Sequence, residues 1–235
     1  MTLSGILASV PKYQTTLPVS GRKIDYRPFV VKEEKVLLMA AESKDEKTIN
    51  SAVREVIFAC TNNTVDALTL PITDMEYLFL QLRSSSVGET VKPNIKCNKC
   101  EMPTEIEISV KDIQPIFQKD HTKTIHLIGD ISVQMKYPTM ETVNSLDGDN
   151  DIDRTFNLLV SCIDKVIQGE NIYNASELDP SEVRGFIDEM TQEQFKKVLN
   201  FLDTMPKLEH PVKFKCKHCG NENETVLKGI TSFFS

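Results

Sequence analysis

The chain has 235 residues, 40% of them hydrophobic and 26% charged, with a net charge of −7 and a pI near 5.2. That mix supplies a sizeable core and excludes disorder as the default state, while the acidic balance argues against non-specific nucleic-acid binding, which needs Lys and Arg clustered against phosphate. No apolar run reaches the roughly 18–20 residues of a membrane helix, the start MTLSGILASVPKYQ lacks the basic-then-apolar order of a secretory signal, and six cysteines are too few for a disulfide scaffold; in a reducing compartment, paired cysteines point to metal.

Residues 1–28 hold turn formers and few periodic apolar positions, and read as an extended N-terminal arm. Residues 29–90 read as a helical unit. In it, Val30–Ala41 carries Val36, Leu37, Met39 and Ala40 on an apolar face, with Lys32, Glu33 and Glu34 on a solvated one. Asp45–Cys60 repeats Ile49, Val53, Val56, Ile57 and Cys60 at three- and four-residue steps, so these share a helix face. A third helix is expected to start at Thr73, whose hydroxyl would form a capping box with Glu76, to bury Leu78 and Leu82, and to end at Gly88. The period then changes to two. Ile106–Val110 and Ile125–Tyr137 read as strands, the second folded at Gly129–Asp130. Residues 91–137 with 210–230 form the expected β region. Residues 138–209 read as a helical insert, with a start at Asp179-Pro180 and a capping box from Thr191 to Gln194. Phe195, Val198, Leu199 and Leu202 line one face of its last helix, which Pro206 stops. The predicted class is α+β: helical units around a small antiparallel β region with a split zinc ribbon, together one compact assembly.

The informative chemistry lies in two Cys-x-x-Cys pairs, Cys97–Cys100 and Cys216–Cys219, with 115 residues between them. Each follows a lysine (Lys96, Lys215), and each precedes a polar turn and an alternating, Glu-led strand. Each pair is therefore expected at the tip of a hairpin, the two hairpins echoing each other. Zinc takes four ligands in a tetrahedron, and one Cys-x-x-Cys knuckle aims two thiolates at one ion. Two knuckles fill the shell and leave no position for water or substrate, which makes the site structural rather than catalytic, with one zinc per chain. A redox disulfide pair or four reduced surface thiols are the bland alternatives, and His218 is not expected to be a fifth ligand. Cys60 and Cys162 fall on apolar helical stretches and read as small core residues.

Other chemistries are unsupported. Asp147–Asp153 resembles a calcium loop, but its Gly148 stands second and Leu158 stands where the twelfth-position glutamate belongs, so it reads as a solvated acidic loop capping the next helix. No phosphate loop, nucleophile elbow or paired histidine motif occurs. Glu33–Glu34 and Asp188–Glu189 read as solvated helix faces. Lys92, Lys96, Lys99, Lys213, Lys215 and Lys217 gather around the knuckles, where they offset the charge of a four-thiolate zinc. They also suggest a less favoured reading, a zinc-ribbon nucleic-acid binder.

Several stretches together carry a resemblance: Tyr26-Arg-Pro-Phe to Leu38, Asp74 to Glu89, the first cysteine pair, Lys136-Tyr-Pro138, Ile167-Gln-Gly-Glu170, Gln194 to Phe201, Thr204 to Leu208, the second pair, and Gly229 to Phe234. Their order over roughly residues 20–235 resembles the baseplate hub assembly protein family of T-even-type contractile-tailed bacteriophages. The resemblance implies a non-enzymatic role in building the tail baseplate hub, with no catalytic residues. It implies an assembly factor or chaperone acting on hub or tape-measure proteins, or alternatively a hub subunit kept in the virion. The implied partners are other phage hub or tail proteins, with no nucleic acid, membrane or small-molecule substrate. The implied location is the host cytoplasm during assembly, with the virion baseplate for a retained subunit. Zinc rests on the cysteines themselves, because such pairs vary within the family. The aromatic tail Phe233–Phe234 reads as a docking peg or as a core anchor.

Overall fold

A computed structural model describes residues 10–146, 148 and 150–229. The expectations placed on Asp147, Asp149 and Phe233–Phe234 lie outside these residues. The chain divides into two units, residues 1–116 with 207–235 and residues 117–206.

The first unit opens with a hairpin, β1 (Tyr13–Thr16) against β2 (Lys23–Tyr26). Within the segment expected as an arm, residues 13–26 are extended but paired with themselves, and their turn is anchored. The buried Asp74 carboxylate accepts the backbone N–H groups of Val19 and Ser20 at 2.8 and 2.9 Å. Helices α1 (Val31–Ser43), α2 (Glu46–Cys60) and α3 (Ile72–Val87) follow. The predicted α2 face is observed: Ile49, Val53, Val56, Ile57 and Cys60 are all buried. On α1, Leu37 and Ala40 are buried but Met39 is 61% exposed. Glu33 is not solvated. It is buried, takes a salt bridge from Arg27 at 2.9 Å, and caps the helix by accepting the Val30 N–H. Burial is the largest single influence and pushes the Glu33 carboxyl up, but the hydrogen bonds from Arg27 and the Val30 N–H, with the nearby charges of Arg27 and Lys32, together outweigh it and hold Glu33 below the usual carboxylate range.

Helix α3 also begins earlier than expected. Pro71 adopts extended angles and starts the helix at Ile72, so Thr73 lies buried inside the first turn and cannot cap. The far end is as predicted, at Gly88 with φ 128°, and Leu78 and Leu82 are fully buried.

Four short strands come next: β3 (Thr90–Val91), β4 (Asn94–Lys96), β5 (Pro103–Glu105) and β6 (Ile108–Ser109), paired β3 with β6 and β4 with β5. The predicted strand 106–110 is thus interrupted at Ile106–Glu107. Strand β7 (Pro115–Ile116) closes this passage of the chain.

The second unit contains β8 (Thr124–Ile128), β9 (Ile131–Met135), α4 (Met140–Asn144), α5 (Asp151–Cys162), β10 (Ile163–Gln168), β11 (Asn171–Asn174), α6 (Pro180–Asp188) and α7 (Gln192–Thr204). The hairpin at Gly129–Asp130 and the two helix starts occur as predicted: Asp179 caps Ser181, and Thr191 and Gln194 form a capping box. Asn150 caps α5 by accepting the Asp153 N–H. Residues 163–174 are a correction. They were expected to be helical but form an antiparallel hairpin inside the sheet β11-β10-β9-β8. Gly169, at φ 57°, makes its turn, and Ile163, Val166 and Ile167 satisfy a sheet better than a helix. The core of this unit joins Val133, Leu159, Cys162, Val198, Phe201 and Leu202. His121 is wedged beside it, with Nδ1 2.9 Å from Thr204 Oγ1 and Nε2 2.9 Å from the Tyr137 hydroxyl.

The chain returns to the first unit through β12 (Lys207–Lys215), which pairs with β7 and then with β13 (Glu222–Lys228). Val212 and Leu227 of these strands pack with Leu80, Val91, Ile108, Val110, Ile113 and Leu208. Helices and small antiparallel sheets together make the chain α+β, as expected.

Candidate metal centre

Two hairpins carry the cysteines. The β4–β5 hairpin turns through residues 97–102, and the β12–β13 hairpin turns through residues 216–221. The tips are built alike. In the first, Cys97 N–H donates to Met102 O and Glu101 N–H to Cys97 O; in the second, Cys216 N–H donates to Asn221 O and Gly220 N–H to Cys216 O. The same left-handed position falls on Glu101 (φ 56°) and Gly220 (φ 71°). Glycine takes that conformation freely and glutamate does so at a cost.

The four sulfur atoms lie within 4.8 Å of one another. The close pairs run between hairpins: Cys97 Sγ to Cys219 Sγ is 3.7 Å, and Cys100 Sγ to Cys216 Sγ is 3.6 Å. A tetrahedron with metal–sulfur bonds of about 2.3 Å has an edge of about 3.8 Å. The observed separations therefore match ligands around one ion and lie far beyond the roughly 2.05 Å of a disulfide. All four cysteines named by the spacing are brought together, and the donor set fits a soft, tetrahedral ion such as zinc.

Backbone amides prepare these sulfurs for negative charge. The N–H of Cys100 and that of Lys99 aim at Cys97 Sγ and hold its thiol below the ordinary range. The Cys219 N–H, helped by the His218 N–H and the Thr104 hydroxyl, overcomes burial and brings Cys216 down to about 6. The Met102 N–H lowers Cys100, but burial and the three neighbouring sulfurs outweigh it and push that thiol up to about 12. A cation held among the four sulfurs would supply the positive charge needed for all of them to ionise together. His218 donates its backbone N–H to Cys216 Sγ at 3.4 Å.

Two further residues escaped the sequence reading. Thr104 and Asn223 are buried polar side chains, each seven residues after the first cysteine of its pair. Each reaches across to the other hairpin. The Thr104 hydroxyl donates to Cys216 Sγ at 3.8 Å, and Asn223 Oδ1 accepts the Asn98 N–H at 2.9 Å. The signal was available, since matched polar residues sit at matched positions of an internal echo. Among the surrounding lysines, Lys92 and Lys213 pair with Glu107 and Glu224 at 3.5 and 3.4 Å. Cys60 and Cys162 are fully buried, and burial lifts their thiols to about 11 and 12. They are core residues, as read.

Comparison with known proteins gives two matches. The family described as "T4 bacteriophage base plate protein" matches over residues 10–235. The baseplate hub assembly protein gp26 of Enterobacteria phage T4 is 26% identical over 225 residues, covering 95% of this chain and 98% of that protein. No solved structure matches. No helix among the described residues is long and apolar enough to cross a membrane.

Proposed function

Because this chain belongs to the family of T4 bacteriophage base plate proteins, we propose that it is a non-enzymatic assembly factor for the tail baseplate hub. It acts on other hub or tail proteins, with the tape-measure protein a candidate, and works in the host cytoplasm while tails are built. The observation that carries this reading is the alignment with a hub assembly protein along nearly the whole of both chains. A match of that extent covers both units, so the role belongs to the whole chain rather than to one borrowed module. The family's own description, a base plate protein, favours the second reading: a hub subunit that stays in the virion.

In this proposal Cys97, Cys100, Cys216 and Cys219 hold one structural zinc. Its place is to clamp the short β4–β5 hairpin to the longer β12–β13 hairpin. The chain's remaining groups support that clamp: amides charge the sulfurs, and Thr104 and Asn223 tie the hairpins together. The support for zinc is the sulfur geometry and the complete set of four thiolates.

Two experiments test the proposal separately. Plasma mass spectrometry of freshly purified protein should find one zinc per chain; a content well below one removes the zinc. Infection by a phage with this gene disrupted should yield no complete baseplates on sedimentation. Normal baseplates in that infection would remove the assembly role.

A further inference from the structure

The second unit carries a docking feature that neither the metal centre nor the family description uses. Strand β11 is the edge of its sheet. It follows β10 through the two-residue turn Gly169–Glu170, with Gln168 opposite Asn171 and Ile167 opposite Ile172. In such a hairpin the closing pair is hydrogen-bonded and the next is not. The N–H and C=O of Ile172 therefore point away from β10, where no strand pairs with them among the described residues. Ile172 is 59% exposed and Tyr173 is 45% exposed, both large apolar side chains on a free edge.

Beside that edge, helix α6 covers the sheet incompletely and leaves an apolar cavity of about 230 Å³. Val166, Tyr173, Leu178, Val183 and Phe186 line it, with Glu182 at the rim. A cavity of roughly 150 Å³ accepts a benzene ring, so this one has room for a phenylalanine or leucine side chain. The flanks of β11 are acidic: Glu170 lies in its turn, Glu177 and Asp179 follow it, and Glu182 lines the cavity, all four exposed. Unpaired edge backbone, an apolar socket beside it and an acidic rim are the parts of a strand-addition site.

We propose that β11 accepts an extended segment of another protein as an added strand, and that this segment places one bulky apolar side chain in the α6 cavity with lysine or arginine on either side. Backbone pairing to Ile172 supplies register, the cavity selects the anchor, and the acidic rim selects the flanking charge. The site lies wholly within residues 117–206 and needs no metal, so it stands or falls apart from the zinc clamp.

Fluorescence polarisation on the full chain tests it. The probe is a short fluorescein-labelled peptide alternating lysine with valine around one central phenylalanine, and the control carries glutamate in place of lysine. The lysine peptide should bind saturably and the glutamate peptide should not. Ala175→Phe, which fills the cavity from its own wall, and Ile172→Pro, which removes the outward N–H from an edge where proline is tolerated, should each weaken binding by about tenfold or more. Thermal unfolding of each variant identifies one that fails to fold, and the other then decides. The proposal is overturned if the lysine peptide does not bind, if the glutamate peptide binds equally, or if folded variants bind like the parent. It is also overturned if the chain sediments as a dimer that Ile172→Pro dissociates, because a second copy would then own the edge.

Discussion

Replacing Cys97 by serine removes one thiolate from a four-sulfur shell, and the structure indicates where the loss will fall. Zinc in comparable sites contributes on the order of 10–16 kcal/mol, so one of four ligands carries about 3–4 kcal/mol. The two hairpins do not share that loss equally. β12–β13 is held by seven register pairs and buries Val212 and Leu227. β4–β5 has three pairs, and only its Ile95 packs against the core of the unit. A hairpin that short is marginal without outside support. Cys97→Ser, or removal of metal by a chelator, should therefore open residues 94–105 first and leave β12–β13 largely closed. Native-state hydrogen exchange reads this directly. The amides of Cys97 and Ile106, bonded to Met102 O and Pro93 O, should exchange about 100-fold faster or more, which corresponds to about 3 kcal/mol. Amides of Val212 to Phe214 should change much less. Unchanged exchange at Cys97 and Ile106 in both the variant and the chelated protein would refute the clamp.

Three other predictions follow from single contacts. Glu101→Gly relieves a left-handed backbone that Gly220 occupies without strain in the other knuckle; it should stabilise the hairpin by up to about 1 kcal/mol, read as a shift in denaturant midpoint, and raise the chelator resistance of the proposed zinc. Asp74→Ala leaves two backbone N–H groups without their carboxylate; it should cost about 2–4 kcal/mol and speed exchange at Val19 and Ser20, whereas a cost near zero would show the β1–β2 turn to be held by something else. Burial raises Glu76 from its ordinary 4.5 to about 7. A carboxyl raised on folding contributes most below about 4.5 and loses that contribution as pH rises to about 7, so stability should fall across this window by up to about 3 kcal/mol. Glu76→Gln should remove that slope in urea titrations at several pH values.

What could be read in advance divides along physical lines. The cysteine spacing was informative because a Cys-x-x-Cys tip is a local structure: each pair needs only its own turn, and the structure brings the four sulfurs together. Helix α2 and the capped start of α7 were legible for the same reason, since periodicity and capping act within one or two turns. The errors fall where something other than periodicity and capping within one helix decides. Glu33 looks like a surface residue until Arg27 arrives to pair with it. Thr73 and Glu76 spell a capping box, but the cap position falls two residues earlier, at Pro71, and Asp74 is committed to the β1–β2 turn. Residues 163–174 continue the apolar run of α5, which hid their switch from helix to strand. The Gly169–Glu170 turn between two β-rich runs was the available signal. Thr104 and Asn223 matter only because two hairpins far apart in sequence meet.

The decisive measurement for the proposed role is quantitative mass spectrometry of purified phage particles beside lysate from infected cells. An assembly factor should be abundant in the lysate and absent from finished particles. A fixed number of copies in every particle would contradict that role and make the chain a hub subunit.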